Sequence, residues 1–131
     1  DRSHKYSHER YAALMMHEMA HIFLKFFANS FYKPVWLDEG MSIFLSGQNR
    51  FKKKPEKFVK FLRCYDKHES DIYDEAGFVI DLLIKEFGKN KLLELIKGLR
   101  EINSKEGFER LFKQIYGFDI NYKEINQKWQ K

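Results

Sequence analysis

The sequence predicts a mainly α-helical fold, with about six or seven helices in a single domain. Apolar residues recur at three- and four-residue steps along almost the whole chain, and alternation with a period of two is hard to find over a strand-like length. Hydrophobic residues make up 44% of the 131 positions and include thirteen Phe, which is enough for a sizeable aromatic core. Seven Gly and two Pro are too few for a flexible linker between two domains, so we interpret residues 1–131 as one domain.

Charge and cysteine content narrow the possible classes. The formal net charge of +5 is a modest excess that the solvated faces of a Lys-rich domain can carry. No apolar stretch approaches the roughly 20 residues that a membrane span needs, so no transmembrane segment is predicted. Cys64 is the single cysteine, which excludes an intramolecular disulfide and a thiolate metal cluster. The chain does not begin with Met, and we expect it to be a fragment of a longer protein of undetermined oligomeric state.

The first two helices follow from apolar spacing and one proline. The first helix is predicted from about Ser7 to Asn29, and its apolar stripe comprises Tyr11, Leu14, Met15, Met19, Ile22, Phe23, Phe26 and Phe27. Pro34 disfavours a helical conformation at Lys33, which predicts a loop over residues 30–35. The second helix then runs from about Leu37 to Leu45.

The middle of the chain carries a basic run between two predicted helices. Residues 46–49 form a turn cluster, and residues 50–54 are predicted to be a solvated basic run. Pro55 suits the first turn of a third helix that reaches about Tyr65. After a polar linker, Ser70 or Asp71 is the predicted cap of a fourth helix, which ends at Gly88 as a left-handed cap.

The last three helices are predicted by capping residues. The fifth spans about Lys89 to Glu101, and Ser104 opens a sixth that Gly117 stops. Asn121, with Glu124 three residues later, is typical of a capping box at the start of the last helix.

The first helix contains the segment His17-Glu18-Met19-Ala20-His21, an HExxH motif. Residues four apart on a helix project from one face, so the imidazoles of His17 and His21 can hold a single cation. Glu18 falls on the same side and is predicted not to be a ligand. Its carboxylate is placed to take a proton from a metal-bound water and to return it to a leaving amine.

Zinc in a catalytic site usually has three protein ligands, so a third is expected elsewhere. Glu39, in the segment Trp36-Leu37-Asp38-Glu39-Gly40, follows His21 after seventeen intervening residues, which fits a reversing loop and an antiparallel second helix. The alternative for Glu39 is an acidic residue that interacts with the helix dipole. Asp38 caps the second helix or accepts a hydrogen bond from a ligating His.

These segments resemble those of the gluzincin metallopeptidases, in particular the peptidase MA-like group related to aminopeptidase N and thermolysin. Residues 72–88 are similar to that group's tyrosine-bearing helix, and residues 107–129 are similar to its closing helical pair. The resemblance implies a zincin-like helical catalytic subdomain whose upstream β-sheet is missing from this chain. It also implies a secreted or membrane-anchored setting.

The resemblance assigns a role to each motif residue. It implies that His17, His21 and Glu39 bind Zn²⁺, that Glu18 acts as general base and then acid, and that Tyr73 donates to the oxyanion. The implied substrate is a peptide or protein, and endopeptidase and exopeptidase activity are not distinguished.

Other interpretations stay open at the level of sequence. Tyr73 is equally typical of a packing or surface tyrosine, and His68 is either solvated or close enough to the cleft to stabilise an intermediate. A catalytically inactive zinc-binding domain that binds a peptide or protein partner is the alternative function, and a helical module without metal is the third. The run Lys52-Lys53-Lys54 near Phe51 is interpreted as a solvated turn, so no nucleic-acid partner is expected.

Overall fold

The computed structural model describes residues 13–14, 16–63, 65–67 and 74–130, and these residues form six α-helices and no β-strand. Helix α1 comprises residues 13–14 and 16–22 and continues as a π-helical stretch, Phe23–Phe27. The others are α2 (Val35–Leu45), α3 (Ala76–Phe87), α4 (Lys89–Gly98), α5 (Lys105–Tyr116) and α6 (Tyr122–Trp129). Short 3₁₀ turns lie at Gln48–Phe51, Phe61–Arg63 and Leu99–Glu101. The prediction of a mainly helical chain is confirmed, and no described helix is long and apolar enough to cross a membrane.

Local capping signals place the ends of the later helices where the sequence predicts them. The Ser104 hydroxyl accepts a hydrogen bond from the Gly107 amide at 3.1 Å, and the Asn121 side chain accepts one from the Glu124 amide at 2.8 Å. Gly117 ends α5 in the left-handed conformation, with φ 83° and ψ 7°. These caps supply acceptors for amides that would otherwise lack an intrahelical partner.

The start of α3 differs from prediction. The helix begins at Ala76 with Glu75 as its N-cap, whereas the predicted caps Ser70 and Asp71 lie outside the described residues.

Two further helix boundaries differ from prediction. Helix α2 begins at Val35 rather than at Leu37, because the Val35 amide donates to the Tyr65 carbonyl at 2.9 Å and Pro34 can therefore start the helix directly. Gly88 has the expected positive φ of 87°, but its ψ of 158° is extended rather than left-handed helical. Gly88 thus redirects the chain from α3 straight into α4 without an intervening loop.

The predicted third helix, from Pro55 to Tyr65, is wrong. Residues 52–60 are irregular, and only the 3₁₀ turn Phe61–Arg63 follows them. The Glu75 carboxylate accepts hydrogen bonds from the amides of Val59, Lys60 and Phe61 at 2.7–3.1 Å, so these amides are satisfied without a helix. Distant side chains have replaced the intrahelical partners of this segment.

Helices α2 and α3 form the most closely packed pair of the fold. A Cβ added to Gly40 would lie 2.7 Å from the Ala76 carbonyl oxygen, and one added to Gly77 would lie 2.6 Å from Cγ2 of Ile43. The Trp36 ring lies in the core beside them and meets Phe61 and Phe108 edge-on, with centroids 5.2 and 5.9 Å away. The core therefore contains a sizeable group of aromatic side chains, as the composition predicts.

Helix α1 rests on the core through one side only. Met19 and Phe27 are buried, and the π-helical stretch packs against α4 and the 3₁₀ turn that follows it. The side chains of Asn29 and Ser30 donate to the carbonyls of Lys25 and Phe26, each at 3.1 Å, and so close the end of the helix. The opposite side of α1, which carries His17, Glu18 and His21, faces solvent.

Candidate functional site

The two HExxH histidines come together on the exposed face of α1. Their Nε2 atoms are 3.0 Å apart, and the rings meet edge-on with centroids 4.4 Å apart. Bonds of about 2.0–2.1 Å from zinc to each nitrogen, at an angle of roughly 95–110°, put two imidazole nitrogens about 3.0–3.4 Å apart. The His17–His21 pair therefore fits two corners of a zinc site. In the absence of a cation, the same distance suits one Nε2 donating a hydrogen bond to the other.

Glu18 lies beside this pair and joins α1 to α4. Its Oε2 is 2.7 Å from Nζ of Lys89, the first residue of α4. The Glu18 side chain is 56% exposed, and surface ion pairs of this kind add little to the free energy of unfolding. The ion pair directs the Glu18 carboxylate towards the start of α4.

Glu39 is half-buried on α2, one residue before Gly40. Among the residues that the structure describes, no three His, Cys, Asp or Glu side chains form a group able to hold a metal ion, so Glu39 is not brought together with the two imidazoles. Asp38 lies in the first turn of α2, where a carboxylate interacts favourably with the helix dipole, and Pro34 rather than Asp38 is the N-cap. The role of Glu39 as third ligand stays a prediction.

Three further residues singled out by the sequence, Cys64, His68 and Tyr73, lie outside the described residues. The assignment of Tyr73 to the oxyanion stays a prediction for that reason. Two of the predicted ligands are thus adjacent in space, together with the predicted general base.

No family model, curated protein or solved structure matches the chain. The resemblance to the gluzincins therefore stays a prediction from the motif residues.

Lys89 is the site residue that sequence reasoning missed. It is 71 positions from Glu18, and no periodicity or capping rule connects two residues so far apart. The available signal was Gly88: a glycine with positive φ directly before Lys89 starts α4 abruptly, and α4 packs against the end of α1.

Proposed function

We propose that this chain is a zinc-dependent peptidase domain of the gluzincin type, with a zincin-like arrangement of its helices. The observation that carries the proposal is the 3.0 Å separation of the His17 and His21 Nε2 atoms on an exposed helix face, with Glu18 between them in sequence. His17 and His21 would hold the zinc ion, and Glu39 would complete the protein ligands. The donor set of two imidazoles and one carboxylate is one that zinc accepts in hydrolytic sites.

The bound zinc would supply Lewis acidity to the reaction. Glu18 is the residue of the chain that would transfer the proton. Its carboxylate accepts a proton from the attacking water as the new carbon–oxygen bond forms, and it delivers that proton to the amine nitrogen as the carbon–nitrogen bond breaks. Nζ of Lys89 lies 2.7 Å from Oε2, so Oε1 is the oxygen that would accept the proton.

The proposal also requires the Glu39 carboxylate to join the two imidazoles. Glu39 sits on a helix whose neighbouring residues Trp36 and Leu37 are fully buried, so α2 offers a fixed support for a ligand. Coordination by Glu39 is independent of zinc binding by the two histidines, and the metal affinity of a Glu39 variant tests it separately.

The test combines metal content with hydrolysis of a mixed peptide library. We expect Glu18→Gln to retain zinc and to lose activity by at least about 100-fold, because a general base contributes on that order. We expect His17→Ala to lose the metal, and Glu86→Gln, an exposed change of the same chemistry on α3, to leave both readouts unchanged. Undiminished activity of Glu18→Gln would contradict the assigned role.

The alternative is a zinc-binding domain that binds a peptide or protein partner without cleaving it. One observation favours it: the described residues assemble no third ligand beside the two imidazoles. A zinc-loaded sample that binds library peptides and cleaves none of them, with or without a chelator, would select this alternative.

A further inference from the structure

A basic cleft lies between the irregular segment 52–60 and the start of α3. Its volume is about 560 Å³, and five lysines line it together with Pro55, Glu56, Asp74 and Glu75; the lysines are Lys52, Lys53, Lys54, Lys57 and Lys60. Lys53 and Lys54 are exposed, as predicted for a solvated run, and the segment that carries them curves around a concave surface.

Side chains from two other parts of the fold hold the backbone of the lysine-bearing segment. The Asn126 side chain bonds to both the amide and the carbonyl of Phe58, at 2.7 and 2.9 Å, and the Trp129 indole donates to the Pro55 carbonyl at 2.9 Å. Glu75 binds the next three amides. The lysines are therefore carried on a fixed backbone, which lowers the ordering cost when a ligand binds.

The positive charge of the cleft is poorly compensated. Glu75 is 4% exposed, and its carboxylate is directed to backbone amides rather than to a lysine. Within the described part of the chain, none of the five lysines forms an ion pair; Lys54 instead lies over the Trp129 ring at 4.9 Å. Glu56 and Asp74 are the remaining acidic groups, so lysines outnumber them in the cleft.

This cleft is separate from the candidate metal centre. Glu75 precedes the first residue of α3, whereas Lys89, which contacts Glu18, follows the last. A helix of that length spans about 18 Å, so the two sites lie at opposite ends of α3. The cleft therefore does not depend on zinc or on the proposed peptidase activity.

We infer that the cleft binds a compact anion that carries two or more phosphate groups. Its volume falls within the range of small-molecule sites, roughly 300–1,000 Å³. All five cations are lysines, whose ammonium groups bind phosphate as compact point charges and do not impose the bidentate geometry of the arginine fork. Lys54 covers the Trp129 ring, which removes a platform on which the bases of a nucleic acid would stack.

Calorimetric titration of the full chain with inorganic tripolyphosphate tests the inference. We expect saturable binding that weakens as salt is raised, and at least about tenfold weaker binding for Lys57→Gln/Lys60→Gln. The Lys60 amide stays available to Glu75, because only its side chain changes. Lys85→Gln/Lys113→Gln, which removes the same charge from exposed positions on α3 and α5, is the matched control and is expected to bind like the unmodified chain.

Two further measurements, with lipid vesicles and with an oligonucleotide, complete the test. Absence of tripolyphosphate binding, or equal weakening in both double variants, would overturn the inference. Phosphatidylcholine vesicles with and without phosphatidylinositol bisphosphate identify the source of the phosphates. If the chain binds tripolyphosphate and neither kind of vesicle, the ligand is soluble. If it also binds the vesicles that contain the phosphoinositide, and not those without it, the ligand is a lipid headgroup. A single-stranded oligonucleotide that binds more tightly than tripolyphosphate, and that loses this binding in Lys57→Gln/Lys60→Gln, would replace the compact anion by a nucleic acid and so refute the inference.

Discussion

Glu75 is the residue that organises the irregular segment before α3. It is buried, and its two oxygens accept hydrogen bonds from three consecutive backbone amides. One side chain thus supplies the acceptors that carbonyl groups would supply in a helical turn. We expect Glu75→Ala to lower the free energy of unfolding by about 2–3 kcal/mol, because it leaves the buried Phe61 amide and two part-buried amides without this acceptor. Glu75→Gln keeps one oxygen but loses the charge, and we expect a smaller loss of about 1–2 kcal/mol.

Urea denaturation of the two Glu75 variants checks this order. Glu86→Gln, on the exposed face of α3, serves as the control and is expected to change the free energy of unfolding by less than about 0.5 kcal/mol. Equal stability of Glu75→Ala and the unmodified chain would show that the amides of residues 59–61 have other acceptors.

Tyr116 carries a buried hydroxyl that has no hydrogen-bond partner among the described residues. Burial raises the pKa of the Tyr116 hydroxyl, and the charge of Glu94 raises it further. The unfolded chain releases this proton near pH 10, whereas the folded chain retains it, so the free energy of unfolding falls as pH rises above about 10.

Tyr116→Phe removes both the unpaired hydroxyl and its titration. We expect the free energy of unfolding at pH 7 to stay the same or to rise by up to about 1 kcal/mol, and its fall above pH 10 to become shallower. Tyr122→Phe is the contrasting variant, because the Tyr122 hydroxyl accepts from the Leu62 amide at 3.0 Å and its loss is expected to cost about 1 kcal/mol. Urea titrations at neutral and alkaline pH measure both; an unchanged alkaline slope for Tyr116→Phe would contradict the expectation.

At the scale of elements, Gly40 sets how closely α2 approaches α3. Alanine normally stabilises a helix interior by about 1 kcal/mol relative to glycine. Here a Cβ would lie 2.7 Å from a backbone carbonyl of α3, which cannot move without shifting the helix, so we expect Gly40→Ala to cost about 1–3 kcal/mol. The melting temperature of Gly40→Ala shows whether the substitution stabilises or destabilises the protein, with Ser42→Ala on the exposed side of α2 as control. A more stable Gly40→Ala protein would mean that the helices separate easily.

The sequence predicts those features of the helices that depend on neighbouring residues. Helix ends at Ser104, Gly117 and Asn121 follow from groups three or four residues away, and the pairing of His17 with His21 follows from helical spacing. The segment after Pro55 has a helix-like pattern, yet its amides bind Glu75 and Asn126, which are 14 to 68 positions distant. Contacts of that range are set by tertiary packing, and the ion pair of Glu18 with Lys89 escaped prediction for the same reason.

For the whole molecule, the position of the third ligand decides how many helices a bound cation connects. His17 and His21 both belong to α1, which rests on the core through Met19 and Phe27, so a cation held by this pair alone fastens one helix. A carboxylate from Glu39 would tie α1 to α2 and, through the close α2–α3 contact at Gly40, to the centre of the fold. The increase in the free energy of unfolding on addition of zinc therefore shows whether Glu39 is a ligand.

Zinc at about 100 times its dissociation constant is expected to raise the free energy of unfolding by about 2.7 kcal/mol, since only the folded chain presents the assembled ligands. His17→Ala should abolish this increase, Glu18→Gln should preserve it, and Glu39→Ala should reduce it because one ligand is lost. The shift in melting temperature with added zinc, compared with that in the presence of a chelator, measures all three. If Glu39→Ala shows the full increase, the cation is held by α1 without α2, and the assignment of Glu39 as the third ligand is wrong even if the two imidazoles bind zinc.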